Sequence, residues 1–253
     1  MNRGSEWNKW DLHFHTQSSY DYKDKTVTNI QLIEKLVEKD VKVVAITDHH
    51  IIDVERIQDL KVLSSERITI LPGIEFLSDS RGKQPIHFIG IFSENSDLNY
   101  IWGQIENRTE IRKIKGEGKK ENEVYCNLFE TINLIHELGG IVSIHAGDKH
   151  SSIENITHSL PHGEAQKTDI AFAVDIYELG NSSDQDGYRK FVFPSIKKNI
   201  PMILCSDNHD IKKYDIKENC WIKAIPSFEG LRQIIYEPDR VKIQEDKPDK
   251  KIG

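Results

Sequence analysis

Short apolar runs alternate with longer amphipathic runs along most of the chain. Residues 10–15 alternate apolar and polar positions with a period of two, which is typical of a strand. From Thr28 to Lys39 the apolar residues fall on one helical face, and Thr28 is placed to cap that helix. Val41–Thr47 is a continuous apolar run, which predicts a fully buried strand. The chain therefore begins as strand, helix and strand.

The same alternation continues towards the other end of the chain. Further strands are predicted at 68–71, where Pro72-Gly73 ends the run, and at 86–92, 141–145, 173–179, 202–206 and 240–243. Helices are predicted at 127–138, between the strands at 173–179 and 202–206, and at 227–236. Strands that alternate with helices predict an α/β fold with a mostly parallel sheet, either open or closed into a barrel.

Two polar stretches interrupt this alternation. Residues 103–124 are rich in Lys, Glu and Gly, and we expect a charged helix and loop inserted at the surface. Residues 147–170 have few apolar positions, and we expect a long loop at the mouth of the fold. We expect one domain over residues 1–244, followed by a charged tail or linker over 245–253.

Composition narrows the class of protein. The chain has 253 residues, of which 37% are hydrophobic and 30% charged, as in a globular protein with a sizeable core. No apolar run approaches the roughly 18 residues of a membrane span, and the start lacks a signal core, so we expect a cytoplasmic protein without membrane attachment. The three cysteines form no C-x-x-C pair and are expected to be reduced thiols. The net charge of −7 argues against a uniformly nucleic-acid-binding surface.

Ligand-type side chains stand at the ends of the predicted strands. His13 and His15 form an H-x-H pair whose imidazoles share one face of the first strand. The others, in sequence order, are Asp21, His49, Glu75, His87, His145, Asp207 and His209. The carboxyl ends of parallel barrel strands meet at one rim, where we expect these nine residues to gather. Imidazole with carboxylate favours Zn, Mn or Fe, and two to three such divalent ions, about 3.5–4 Å apart, would hold a phosphate around a bridging hydroxide.

Other polar residues have plainer interpretations. We expect His136 to be a structural residue of a helix, His50 to point away from its neighbour, and Cys205 to be a small core residue. Five residues could either contact a phosphate or substrate or simply be solvated: Lys149, Arg81, His150, His158 and His162.

Seven motifs, in order, resemble those of the PHP family, which is named after polymerase and histidinol phosphatase. They are D-L-H-F-H-T at 11–16, Asp21, I-T-D-H at 46–49, P-G-I-E at 72–75, I-H-F-I-G at 86–90, I-H-A at 144–146 and C-S-D-N-H at 205–209. The resemblance implies a distorted seven-stranded β/α barrel with a trinuclear site of Mn, Zn or Fe at the C-terminal rim, which hydrolyses phosphomonoesters or phosphodiesters. It implies that the nine residues are the ligands and that Asp48 orients His49 or supports the site.

The two ends of the domain resemble TrlF-type proteins, in which a PHP domain precedes an ATPase domain. The segments are R-G-S-E-W-N-K-W-D at 3–11 and S-F-E-G-L-R-Q-I-I-Y-E-P at 227–238. This resemblance implies a C-terminal ATPase domain as a partner and work on nucleic acid.

Three functions remain open at this point. A nuclease or other phosphodiesterase fits the ATPase resemblance, and a small-molecule phosphomonoesterase fits the acidic charge. A regulatory domain that gates an ATPase is the third, although structural metal sites usually have four ligands rather than nine. The basic residues of 103–124 could contact nucleic acid, but the glutamates between them favour a solvated face: Arg108, Arg112, Lys113, Lys115, Lys119 and Lys120.

Overall fold

The computed structural model describes residues 6–81, 84–156, 163–216 and 218–249. The strands are β1 Trp7–Phe14, β2 Val41–Ile46, β3 Thr69–Arg81, β4 Pro85–Ile91, β5 Ile141–Ala146, β6 Ile176–Leu179, β7 Met202–Ile203, β8 Asn219–Lys223 and β9 Val241–Gln244. The helices are α1 Asn29–Glu38, α2 Val54–Ser64, α3 Leu98–Arg108, α4 Arg112–Glu117, α5 Leu128–Glu137, α6 Gly163–Ala173, α7 Asp184–Gly187, α8 Phe193–Ile196 and α9 Phe228–Tyr236. In these residues no helix is long and apolar enough to span a membrane.

The strands form one sheet that is closed almost into a barrel. Its order is β7-β6-β5-β4-β3-β2-β1-β8-β9, and the two edge strands β7 and β9 lie beside each other. The β1–β2, β2–β3, β5–β6 and β6–β7 pairs are parallel, whereas β4, β8 and β9 run against their neighbours. The predicted α/β fold with a barrel-like sheet is therefore confirmed, but the sheet has nine described strands and only half of its pairings are parallel.

Two apolar layers hold the barrel. The inner one is built from side chains such as Trp10, Leu71 and Ile89, together with Phe228 and Leu231 of α9, which packs against it. The outer layer lies between the sheet and the other helices, and its residues are largely buried. Burial of this much apolar surface on both faces of a sheet is the main stabilising contribution to such a fold.

Several elements agree with the prediction in detail. Thr28 caps α1 and exchanges hydrogen bonds with Gln31 in a capping box. Asn127 caps α5 and Ser227 caps α9, and each begins its helix within one residue of the predicted start. The polar stretch at 103–124 forms the end of α3, all of α4 and a short 3-10 turn at Glu121–Glu123. We call the segment from the start of α3 to the end of this turn, residues 98–123, the insertion.

Other elements differ from the prediction. Pro72-Gly73 does not end the third strand, because β3 exchanges its partner there, from β2 to β4, and continues to Arg81. The expected long loop at 147–170 contains a 3-10 turn at Ile153–Asn155 and the start of α6. The sequence pattern also missed α2 and β8. Because strand periodicity carries no direction, it could not reveal that β4 is antiparallel.

The predicted tail runs back along the barrel. Trp7 Nε1 donates to the carbonyl of Asp249 at 2.8 Å, and Asn219 Nδ2 donates to the carbonyl of Glu245 at 2.6 Å. The boundary between a domain at 1–244 and a linker stays a prediction.

Candidate metal centre

The end of β1 and the loop after β7 form one side of the site. The H-x-H spacing brings the Nε2 atoms of His13 and His15 to 2.9 Å from each other, and both side chains are completely buried. Asp207 Oδ1 lies 3.4 Å from His13 Nε2 and 3.5 Å from His15 Nε2. Its backbone has a positive φ of 50° and donates to the carbonyl of His13 at 3.0 Å. Strain of this kind at a non-glycine residue is common at functional sites.

Glu75 lies at the centre and faces imidazoles with both carboxylate oxygens. Its Oε2 lies 3.1 Å from His13 Nε2, 3.1 Å from His15 Nε2 and 3.3 Å from His49 Nδ1. Its Oε1 lies 2.7 Å from His87 Nδ1 and 3.6 Å from His145 Nε2. The backbone of Glu75 also pairs with that of Asp48 and His50, which fixes it against the end of β2. A carboxylate in this position can serve two neighbouring cations at once.

A third cluster lies on the open side of the site. Asp21 Oδ2 lies 3.4 Å from His49 Nε2 and 3.0 Å from His209 Nε2. Asp21 and His209 are 32% and 23% exposed, whereas His13 and His15 are buried. Ser19 holds the other oxygen of Asp21 with a hydroxyl hydrogen bond of 2.8 Å. Solvent therefore reaches the site past Asp21 and His209.

All nine predicted residues come together at one end of the barrel. Their donor atoms form groups in which every pair lies within 4.8 Å: His15, Asp21, His49 and His209; His13, His15, Glu75 and Asp207; His49, Glu75 and His87. His145 forms a further group with His13 and Glu178. His87 reaches this rim from the start of the antiparallel strand β4, not from the end of a parallel one. That these residues bind metal stays a prediction.

The sequence model of the PHP domain family matches residues 11–168, which is more than half of the chain. The chain belongs to the PHP domain family. No curated protein matches its sequence.

Two solved structures share the fold of this PHP domain. One is a provisionally assigned metal-dependent phosphoesterase from Bifidobacterium adolescentis, with 17% identity, a TM-score of 0.55, and coverage of 90% of this chain and 96% of that one. The other is an amidohydrolase from Chromobacterium violaceum with bound sulfate and no metal, with 16% identity, a TM-score of 0.52, and coverage of 93% and 98%. At these identities the likeness concerns the fold. Family membership and the donor set described above support a metal-dependent hydrolase.

Two further charged residues of the PHP domain belong to the site: Glu178, which the sequence did not indicate, and Lys149, for which the sequence allowed either a phosphate contact or a solvated position. Glu178 lies in β6, is completely buried, and accepts hydrogen bonds from His13 Nδ1 at 2.9 and 3.0 Å. Lys149 follows β5, and its Nζ lies 2.8 Å from Glu178 and 3.0 Å from Asp207 Oδ2. A lone carboxylate within the apolar strand I-Y-E-L could have indicated Glu178, because a buried charge needs a partner.

Backbone carbonyls and carboxylates orient the imidazoles of the PHP domain. His145 Nδ1 lies 2.9 Å from the carbonyl of His150, and His209 Nδ1 lies 3.0 Å from that of Asp207. A carbonyl only accepts, so in both residues Nδ1 carries the proton and Nε2 offers its lone pair to the site. Glu178 imposes the same tautomer on His13.

Asp48 occupies a supporting position. Its oxygens accept from the backbone N–H and the hydroxyl of Thr16, both at 2.6 Å. It lies 4.0 Å from His15 Nδ1. The structure therefore places the carboxylate of Asp48 beside His15, and the expectation that Asp48 orients His49 or supports the site stays a prediction.

Charges within the PHP domain site shift its pKa values strongly. Burial alone would lower the pKa of His13, but Asp207, Glu178 and Glu75 together raise it well above its usual value. Burial would also lower the pKa of His15, but its hydrogen bonds with Asp207 and Glu75 have the larger effect and raise this pKa to about 9. Without cations, this part of the site therefore binds protons at neutral pH.

His145 behaves in the opposite way. Burial and the nearby ammonium of Lys149 lower its pKa to about 3, so the ring is neutral. Burial would lower the pKa of Lys149, but the negative charges of Glu178 and Asp207 have the larger effect and raise this pKa above its usual value. Lys149 therefore stays charged inside the fold.

Cations fit this donor set. Among the described residues, four buried imidazole nitrogens make no well-aligned hydrogen bond: His15 Nδ1, His49 Nδ1, His145 Nε2 and His209 Nε2. Two of them nevertheless lie close to carboxylate oxygens, His49 Nδ1 at 3.3 Å from Glu75 and His209 Nε2 at 3.0 Å from Asp21. Most buried polar atoms are paired, so a cluster of unpaired imidazole nitrogens beside carboxylates is what a divalent-ion site requires. Residues of this PHP domain could thus hold more than one ion.

The remaining candidate residues have different positions. His50 turns away from His49: its Nδ1 donates to the carbonyl of Glu121 at 3.1 Å, and its Nε2 accepts from Leu77 N–H at 3.0 Å. His136 pairs with Asp175 at 2.8 Å on the surface. His150 is exposed beside His87, with 6.5 Å between the ring centroids.

Four candidate residues remain: Cys205, His158, His162 and Arg81. Cys205 lies in the inner apolar layer. His158, His162 and the side chain of Arg81 lie outside the described residues.

Proposed function

We propose that this PHP domain hydrolyses phosphate esters with two to three divalent ions (Mn, Zn or Fe) held by the nine residues, and that it acts on phosphodiesters of nucleic acid. The observation that carries the proposal is the position of Glu75, whose two oxygens face separate groups of imidazoles. Divalent ions in such a centre polarise a phosphoryl oxygen and make a water more acidic. The proposal does not need a nucleophilic side chain.

The roles of individual residues follow from their surroundings. His145 is held neutral with Nε2 towards the centre, so it is ready to bind a cation without first losing a proton. Asp21 and His209 lie on the solvent side, and a phosphate ester would approach past them. His13 and Glu178 lie deeper in the barrel than Asp21 and His209, and both are completely buried, so water is excluded from around them. Burial strengthens every electrostatic contact in that part of the centre.

A small-molecule phosphomonoesterase is the second candidate. The net charge of −7 disfavours a long nucleic-acid contact, and Asp148 and Asp184 add negative charge near Gly147 at the mouth. Linkage to a C-terminal ATPase domain, with the PHP domain as its nuclease or its regulator, is part of the proposal on the strength of the TrlF-type resemblance. We expect such a protein to act in the cytoplasm.

The test is hydrolysis by protein that has been stripped of metal and reconstituted with Mn²⁺. The substrates are a phosphomonoester, a phosphodiester, and labelled single- and double-stranded DNA and RNA. His145→Ala removes a neutral imidazole from the centre, and His136→Ala is the matched control because His136 pairs with Asp175 on the surface.

Each outcome points to one function. Cleavage of oligonucleotides by wild type and His136→Ala, but not by His145→Ala, supports the nuclease. Hydrolysis of the monoester alone supports the second candidate. Binding of Mn²⁺ without any turnover contradicts the hydrolase and favours a regulatory domain.

A further inference from the structure

A small pocket adjoins the candidate metal centre on the side of the insertion. We call it the Trp102 pocket, and its volume is about 170 Å³. Its apolar walls are Trp102, Ile111 and Ile114 of the insertion, with Ile51 opposite. A larger cavity of about 370 Å³ lies between α6 and residues 188–196, but none of the nine site residues lines it.

The walls of the Trp102 pocket are held in place by hydrogen bonds. His50 joins the insertion to β3, because its two ring nitrogens bond to Glu121 on one side and Leu77 on the other. The backbone N–H of Asn127 donates to Glu110 at 3.2 Å, which fixes the turn between α3 and α4 in the middle of the insertion. Ile111 is 3% exposed and packs into the core. A pocket with such walls is preformed, as binding pockets usually are.

His49 connects this pocket to the centre. It lines the pocket, while its ring nitrogens lie 3.3 Å from Glu75 and 3.4 Å from Asp21. Tyr20 covers the same imidazole, with 5.1 Å between the ring centroids. His49 is therefore a wall that the pocket and the centre share, and a molecule whose phosphate lies at the centre would reach the pocket past this side chain.

The lining determines what fits. Apolar walls that include an indole favour a flat ring, and four polar side chains around them can bond to the edges of that ring: Ser18, Glu106, Lys115 and Glu121. Pockets that enclose a whole drug-sized ligand measure roughly 300–1,000 Å³, so this one takes a single ring system.

We propose that the Trp102 pocket binds one aromatic ring of the phosphate ester, of the size of a single unpaired nucleobase. This proposal rests on the proposed function, since it takes the phosphate to lie at the metal centre. It makes the enzyme selective for esters in which an aromatic group lies close to the phosphate. A base that is still paired and stacked in a duplex cannot enter.

The test compares benzylphosphonate with propylphosphonate; neither has a phosphate ester bond to hydrolyse, and only benzylphosphonate carries an aromatic ring. Calorimetric titration of the Mn²⁺-loaded protein should give a dissociation constant about tenfold lower for benzylphosphonate, the size of effect expected for stacking on an aromatic side chain. Trp102→Ala should abolish that preference. Tyr100→Ala is the matched control, because Tyr100 is a 58% exposed aromatic residue of the same helix that does not line the pocket.

A second variant is needed because Trp102 also packs against the core. Ile114→Trp should fill the pocket from α4 and weaken benzylphosphonate binding alone. Equal affinities for the two phosphonates in the wild type, or a preference that survives both substitutions, overturn the proposal. So does a failure to bind either phosphonate. Ring selectivity without hydrolysis of any ester would support the aromatic-ring pocket and contradict the proposed function. Hydrolysis without ring selectivity would support the proposed function and contradict the aromatic-ring pocket.

Discussion

The ammonium of Lys149 lies 2.8 Å from the carboxylate of Glu178, and the two side chains are 9% and 0% exposed. The same ammonium lies 3.0 Å from Asp207 Oδ2, so it holds two carboxylates of the site at once. Oδ1 of Asp207 then faces His13 and His15. Lys149 thus holds two acidic side chains of the site in place.

Removal of this charge should destabilise the protein. In Lys149→Met, Glu178 loses its buried cation, and loss of one partner of a buried pair typically costs about 3–5 kcal/mol. Urea unfolding of the metal-free protein measures the change. Lys190→Met is the control, since Lys190 and Asp186 form an exposed pair, which is expected to contribute at most about 1 kcal/mol. Equal losses in the two variants would contradict a structural role for the buried pair.

Glu178 should influence metal affinity without necessarily binding metal itself. Glu178→Gln keeps the shape of the side chain but weakens its hydrogen bond with His13 Nδ1, so we expect about 10–100-fold weaker Mn²⁺ binding. Competition with a fluorescent chelator gives the affinity. Glu154→Gln is the control, because Glu154 bonds to Tyr188 and Lys167 rather than to an imidazole. An affinity unchanged in Glu178→Gln would rule out this role.

The neighbours His49 and His50 should differ in their effects. His49→Ala should reduce the number of Mn²⁺ ions per chain measured by elemental analysis, since it removes a donor near Glu75 and Asp21. His50→Ala should leave the number unchanged but speed amide hydrogen exchange in residues 98–123, because it releases Glu121. Loss of metal in His50→Ala would show that the insertion supports the centre directly.

Metal uptake should strengthen as pH rises. In the metal-free protein the pKa of His15 is raised to about 9, so a proton occupies its ring at neutral pH and has to leave before a cation binds. The affinity for Mn²⁺ should therefore rise between about pH 6 and pH 9, towards the raised pKa. Titrations in buffers of different ionisation enthalpy would measure the released protons. Affinity that falls with pH, or no proton release, would contradict this assignment.

The same shift has an opposite effect on the metal-free fold. The folded pKa of His15 lies above the value of about 6.5 for an unfolded imidazole, so protonation stabilises the fold. That stabilisation is complete below the unfolded pKa and is lost as pH rises through about 9. Thermal unfolding with a chelator present should show a lower melting temperature above that pH.

Much of this molecule could be predicted from local patterns. The capped helix at Thr28 and the H-x-H pair at His13 depend only on neighbouring residues, and periodicity reveals such features. The position of Glu178 depends on a contact with His13 across 165 residues, which no local pattern encodes. Lys149 was undecided for the same reason, because its partners lie on β6 and beyond β7.

The direction of β4 separates two parts of the site. Because β4 runs against β3 and β5, the chain leaves it at the rim opposite His87 and returns along the outside of the barrel through α3. Three of the apolar walls of the Trp102 pocket, Trp102, Ile111 and Ile114, therefore come from a segment that contributes none of the nine site residues. The insertion can change in length and sequence during evolution while the strand ends stay in register. On the proposal made above for the Trp102 pocket, relatives that share the nine site residues are thus free to diverge in substrate.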